Sequence, residues 1–204
     1  MSLDGYQVLA LYPTNMKPYG LTYEHWTMKW WYWLLKIPKR NSPAFDQTGN
    51  NAYINQNNPN VFFLCQTFEN SGSIPVRCIM IQSGMSVFMP LINWISVAPE
   101  DGETDKELFL KARTKMNTIK DLKVNVNEHE ISNEFDKYRI QSCPFYVELP
   151  EENILNLAAG VKRVISDGYW ILTEPIRKPI FLKTFGSCSA GLTKIGVKYD
   201  VKLI

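Results

Sequence analysis

Four of the six tryptophans in this chain fall within Thr22 to Ile37, which reads Thr-Tyr-Glu-His-Trp-Thr-Met-Lys-Trp-Trp-Tyr-Trp-Leu-Leu-Lys-Ile. Trp26, Trp30 and Trp33 stand at i, i+4 and i+7, which places them within an arc of about 60° on a helix. Tyr23, Leu34 and Ile37 widen that stripe, Trp31 and Leu35 flank it, and His25, Lys29, Tyr32 and Lys36 gather opposite. Thr22 suits the N-cap, Glu24 the first turn and Lys36 the last, and Pro38 stops the run. Each tryptophan can bury roughly 150–250 Å². At about 25 cal/mol per Å², four give on the order of 15–25 kcal/mol, an upper bound because the unfolded chain already hides part of this area. Such a helix needs a cover. Three covers are open: a sheet of its own domain, a membrane surface met through Lys29, Lys36, Lys39 and Arg40, or a partner or ligand met by Trp31 or Tyr32. The amphipathic spacing favours the sheet.

Downstream segments supply that sheet. Val61–Phe68, Ile74–Ile81 and Ser86–Val97 are nearly continuous in apolar residues, so both of their faces are expected to be covered. Glu69-Asn70-Ser71-Gly72-Ser73 reads as a hairpin connection between the first two. Thr104 and Glu107 form a capping box for a second helix over 104–118, with Leu108, Ala112, Met116 and Ile119 on one face. Leu122, Val124 and Val126 alternate, and Asn127-Glu128-His129-Glu130 turns the chain toward Ile131. Further strands are expected at 138–142, 145–149, 163–172, 180–185 and 193–203, with a short strand at Val8-Leu9-Ala10-Leu11 and a helical turn over 151–157. The expected fold is mainly β: a β-sandwich, jelly-roll-like, carrying the Trp-rich helix and the second helix in a single domain over 1–204.

Composition narrows the function classes. With 22 basic and 20 acidic residues the net charge is +2, and no basic block stands out, so charge gives no reason to expect a nucleic-acid partner. No apolar run approaches the ~18 residues of a membrane span. No signal peptide is legible and Met1-Ser2-Leu3 reads as a cloning remnant, which leaves the compartment open. Cys65, Cys78, Cys143 and Cys188 lack metal-site spacing and are expected as reduced, mostly buried thiols, with Cys143 and Cys188 the freest to pair.

Candidate chemistry is sparse. No nucleotide-binding loop is present. Ser187-Cys188-Ser189-Ala190-Gly191 approaches a nucleophile elbow, but Ser187 stands where glycine is required. Two histidines, His25 and His129, are too few for a multi-histidine metal site, and neither a metal nor another cofactor is expected. If the chain is an enzyme, Asp167 with Glu148 or Glu174 is the available carboxylate pair for a glycosidase-like hydrolysis. Asp167-Gly168 reads as a bulge or tight turn within a strand. Arg77, set among apolar neighbours, is expected to pair with Asp167 or Asp46, because an unpaired buried charge costs several kcal/mol. A non-catalytic binding surface would draw on Gln56, Arg77, Asn93, Trp31, Tyr32 and Asp46, whose amides and rings match a carbohydrate or another polar small ligand. The polar loop 38–60, ending Asn55-Gln56-Asn57-Asn58-Pro59-Asn60, would carry part of it, or would be a surface meander pinned by Asx-turns. Docking of a partner, or of a second copy, through the Trp helix is the third reading.

Several segments together resemble a family of uncharacterised microbial proteins. The matching stretches are Tyr19-Gly20-Leu21-Thr22-Tyr23 leading into Trp26 and Trp30-Trp31-Tyr32-Trp33; Asp46 with Thr48-Gly49; Asn55-Gln56 before Val61-Phe62-Phe63-Leu64; Arg77-Cys78; Pro90 with Asn93; Tyr138-Arg139 with Ser142; Leu149-Pro150-Glu151 with Asn153; and Asp167-Gly168-Tyr169-Trp170. The resemblance spans most of the chain and implies a single domain, with no assigned activity. Relatives tend to carry a Gly-His stretch where this chain has Arg177-Lys178-Pro179-Ile180, so no histidine site is carried over.

Overall fold

The computed structural model describes residues 9–68, 74–131, 134–188 and 193–204. Val8, the connection Glu69–Ser73 and Ser189 of the elbow-like stretch lie outside them, as does the side chain of Cys188. Helix α1 spans Tyr23–Leu35. The strands are β1 (Val61–Phe63), β2 (Val76–Ile81), β3 (Ser86–Val97), β4 (Ile119–Val126), β5 (His129–Glu130), β6 (Arg139–Gln141), β7 (Phe145–Leu149), β8 (Gly160–Leu172), β9 (Ile180–Cys188) and β10 (Thr193–Leu203), with helix α2 (Asp105–Met116) between β3 and β4.

Local signals form these elements as the residues dictate. Thr22 caps α1 by accepting from the His25 amide at 3.3 Å. In α2 the Thr104 hydroxyl accepts from the Glu107 amide, and the Glu107 carboxylate accepts from the Thr104 amide at 2.9 Å. Asn127 and Glu128 both adopt positive φ, 49° and 69°, the two-residue turn that matches the twist of the β4–β5 hairpin.

The protein is mainly β, with two five-stranded sheets and two helices. An inner sheet runs β1-β3-β8-β6, with β7 continuing along the same side of β8. An outer sheet runs β2-β10-β9-β4-β5. One core cluster joins α1 to the inner sheet through Trp26, Trp30, Phe63, Phe88, Val164 and Trp170. A second is shared by the two sheets through Phe62, Met89, Ile171, Ile79, Leu182 and Val201. The inner strands are therefore apolar on both faces because both faces are covered. The exposed face of β2, by contrast, gives it an alternating pattern and leaves Cys78 in solvent.

The pairing differs from the sequence reading in two ways. β1 and β2 do not form a hairpin; each pairs in parallel in a different sheet, β1 with β3 and β2 with β10. An all-antiparallel jelly roll has no such pairs. In addition, β8 runs straight through Asp167-Gly168, and the bulge lies in its partner, where the β3–β8 register shifts between Pro90 and Ile92. Gly168 is required by close approach: a Cβ there would sit 2.6 Å from the Asn93 Cβ and 2.8 Å from the Ile92 carbonyl oxygen.

Candidate functional site

Eight of the thirteen residues of α1 are buried, and three of its four indoles are anchored individually. Trp26 donates to the Pro18 carbonyl at 3.2 Å, Trp30 to Leu64 at 2.7 Å and Trp33 to Ile54 at 2.8 Å. Trp31 is equally buried, and its Nε1 has no partner among the described residues. The expectation of an outward Trp31 is corrected: it packs edge-on against Trp30 with centroids 4.9 Å apart. Tyr32 is half-buried against Phe145, 5.5 Å away. His25, Lys29 and Lys36 form the exposed face.

Most of the proposed polar binding residues are consumed by the fold. The Asp46 carboxylate accepts from the amides of Thr48, Gly49 and Asn51 and from the Thr48 hydroxyl, all within 2.9 Å. Burial pushes its pKa up, but these bonds outweigh it and hold the carboxyl below its usual value. Gln56 donates to the Ala52 and Phe63 carbonyls and accepts from the Phe63 amide, acting as a surrogate neighbour for β1. Asn58 accepts from the Asn60 and Val61 amides. The loop is thus pinned by Asx-type turns.

Arg77 meets no carboxylate among the described residues. Its Nε donates to the Asp46 main-chain carbonyl at 2.7 Å, and its Nη1 donates to the Cys65 carbonyl and the Tyr199 hydroxyl, both at 2.8 Å. Burial works against its charge, yet Tyr199, Cys65 and Asp46 more than offset this and raise its pKa. The Cys65 thiol beside it is pushed up by burial. Asp167 belongs to Arg139 instead, through Nε at 3.1 Å and Nη2 at 2.7 Å. Arg139 also donates to Asn117 and to the Arg113 carbonyl, tying the end of α2 to the inner sheet.

The three carboxylates are not brought together. Glu148 is exposed and lies opposite Val161, six positions along β8 from Asp167 and so about 20 Å away. Glu174 is exposed beyond the other end of β8. A hydrolytic pair requires about 5–9.5 Å. Among the described residues no three metal-ligating side chains cluster, and no helix is long and apolar enough to cross a membrane.

Two of the expected binding residues, Asn93 and Trp31, do share a cavity of about 510 Å³ beside β3. Its helix-side wall comprises Trp31, Ile154, Leu155 and Leu157; Ile92 and Ile195 form the wall toward the outer sheet; Gln66, Thr67 and Trp94 and the acidic side chains of Glu100 and Asp101 make up the polar part with Asn93. Seven buried side-chain nitrogen or oxygen atoms lack a partner among the described residues, and four belong to residues of this cavity: Trp31 Nε1, Gln66 Oε1, Asn93 Nδ2 and Trp94 Nε1. A buried polar group without a partner costs about 1–3 kcal/mol, and their concentration in residues around one cavity makes it the candidate site. Gln66 and Trp94 were missed in the sequence; the signal for the first was an amide inside the apolar run Val61–Phe68. Comparison with protein-family models, with curated proteins and with solved structures finds no match for this chain.

Proposed function

We propose that this chain is a non-catalytic ligand-binding protein of the sandwich type, and that its ligand occupies the cavity beside β3. The observation that carries this reading is a largely apolar cavity whose lining includes four residues, Trp31, Gln66, Asn93 and Trp94, that each keep a buried side-chain nitrogen or oxygen without a partner among the described residues. Sites for small ligands have this composition: apolar walls for affinity and a few polar groups for orientation. The ligand is an uncharged, mainly apolar molecule, because the walls are apolar and the two carboxylates of the lining, Glu100 and Asp101, are already paired with Lys162 and Lys111. A carbohydrate fits less well, because it needs open aromatic faces. Trp31 is buried, and the Lys115 ammonium lies over the Trp94 ring at 4.9 Å from its centroid.

Titration with the uncharged dye Nile red tests the reading. Saturable binding is expected, and Leu155→Arg, which puts a charge on the half-buried wall, abolishes it while the melting temperature holds. Absence of binding, or binding unchanged in both Leu155→Arg and Leu157→Arg, overturns it. Glycan-array binding that disappears in Trp31→Ala and Asn93→Ala would make the ligand a sugar.

A further inference from the structure

Five of the six residues from Ile92 to Val97 line the cavity. Side chains alternate between the faces of a sheet, so consecutive residues can share one cavity only where it runs along the edge of their strand. Strand β3 has such an edge. On one side it pairs with β8 from Phe88 to Val97; on the other it pairs with β1 only from Ser86 to Phe88. Past β1, side chains stand in for the missing neighbour. Gln66 Nε2 donates to the carbonyls of Pro90 and Leu91 at 3.4 and 2.8 Å. At the far end Val97 donates to the Asp101 carboxylate at 3.0 Å, and its carbonyl accepts from the Asp101 amide at 2.7 Å. Backbone groups also alternate sides along a strand, so the N–H and C=O of Asn93 and Ile95 point the same way as those of Val97. No described residue pairs with them.

We infer that this edge is a strand-acceptor slot: a short extended segment of a partner protein, apolar at successive positions, adds to the inner sheet along Asn93–Ile95. The inference rests on the binding reading above and names the chemistry of its ligand. The stretch between Leu91 and Val97 is about 20 Å long, enough for four or five extended residues. Both walls are apolar, Trp31 and Leu155 toward the helix and Ile92 and Ile195 toward the outer sheet. An added strand would therefore be covered on both faces, as β3 is, and would read as a continuous apolar run rather than an alternating one. Main-chain hydrogen bonds would supply affinity, and the wall side chains would supply selectivity.

The test uses a panel of blocked hexapeptides with Lys at each end and four residues drawn from Ala, Val, Ile and Phe between. Binding is read by tryptophan fluorescence, and pairing by amide hydrogen exchange at Asn93 and Ile95. The inference expects binding by members of the panel, slowed exchange at both amides, and about tenfold weaker binding for each peptide N–H removed by N-methylation on the paired side. Equal binding by N-methylated peptides, or no binding by the whole panel while Nile red still binds, overturns the slot and leaves the cavity reading standing. Failure of both Nile red and the panel removes both. A concentration-dependent dimer that protects the Asn93 and Ile95 amides overturns the partner and assigns the edge to a second copy.

Discussion

Arg77→Met is the most informative single replacement, because it separates two accounts of a buried charge. Arg77 is 1% exposed, and its fork is filled by the Asp46 carbonyl, the Cys65 carbonyl and the Tyr199 hydroxyl. Methionine keeps the apolar volume and removes every donor. The Cys65 carbonyl still accepts from Tyr199 at 2.8 Å, and the Ala44 carbonyl from the Phe68 amide at 3.1 Å. The Asp46 carbonyl alone is orphaned outright, at about 1–3 kcal/mol, and the second bond lost around Tyr199 adds about 1. The expected loss is thus about 2–4 kcal/mol in urea unfolding. A charge balanced by a carboxylate would give 3–5 kcal/mol on losing one partner. These ranges overlap, so double-mutant cycles decide. Arg77→Met and Tyr199→Phe share a hydrogen bond and should couple by about 1–3 kcal/mol. Arg77→Met and Asp46→Asn should couple by less than about 1 kcal/mol, because the Asp46 carboxylate is spent on its own loop and acts on Arg77 only through a minor Coulombic attraction. Arg77→Lys should not rescue, since one ammonium cannot span both ends of the fork. Coupling above about 1 kcal/mol between Arg77 and the Asp46 carboxylate would refute the carbonyl account.

Three further outcomes follow from the same contacts. The Asp46 pKa is held below that of the unfolded chain, so its stabilisation is present in full above the ordinary carboxylate range, near 4, and is lost as pH falls through the folded value. Melting temperatures of wild type and Asp46→Asn should therefore converge as pH drops from 6 to 3, and a constant gap would contradict this. Removing Arg139 strands an Asp167 side chain that is 2% exposed, so Arg139→Met should cost about 3–5 kcal/mol by chemical denaturation. The double variant Arg139→Met/Asp167→Leu should recover most of it. Gly168→Ala should lose at least about 2 kcal/mol, because its Cβ meets the Asn93 Cβ and the Ile92 carbonyl across the ladder; a silent substitution would mean that β3 and β8 can separate freely.

What was legible in the sequence was local. Thr22, Thr104 and Glu107 announce helix starts because capping is a contact between residues three apart. Ser86–Val97 reads as covered on both faces because its side chains carry no polar alternation, and it lies between α1 and the outer sheet as that implies. Pairing partners were not legible. Val76–Ile81 meets β10 more than a hundred residues away, and nothing in either segment encodes that choice. Arg77 defeated a sound rule: it needed compensation, and main-chain carbonyls of the 44–46 loop supplied what a carboxylate was expected to give.

The candidate site was hidden for a related reason, since a strand edge is a property of pairing and not of composition. Its position can nevertheless be traced to a few residues once the ladder is known. Pro90 has no N–H to offer on the side where β1 would continue, and proline belongs at edges and bulges for that reason. The bulge at Leu91 then shifts β3 by one residue, so that Leu91 and Ile92 both enter the core between the sheets, and Asn93 moves to the helix side with Ile95 and Val97. Gly168, opposite Asn93, allows the two backbones to close on this irregularity. With the β1–β3 ladder interrupted at Pro90, Gln66 covers two carbonyls, and no described residue pairs with the outward backbone groups of Asn93 and Ile95. Native sheets blunt such edges with charge or with a covering segment. Here charge is confined to the far end, where Asp101 caps Val97 beside Glu100, and the outward backbone groups of Asn93 and Ile95, unpaired among the described residues, lie between Trp31, Ile195 and Leu155.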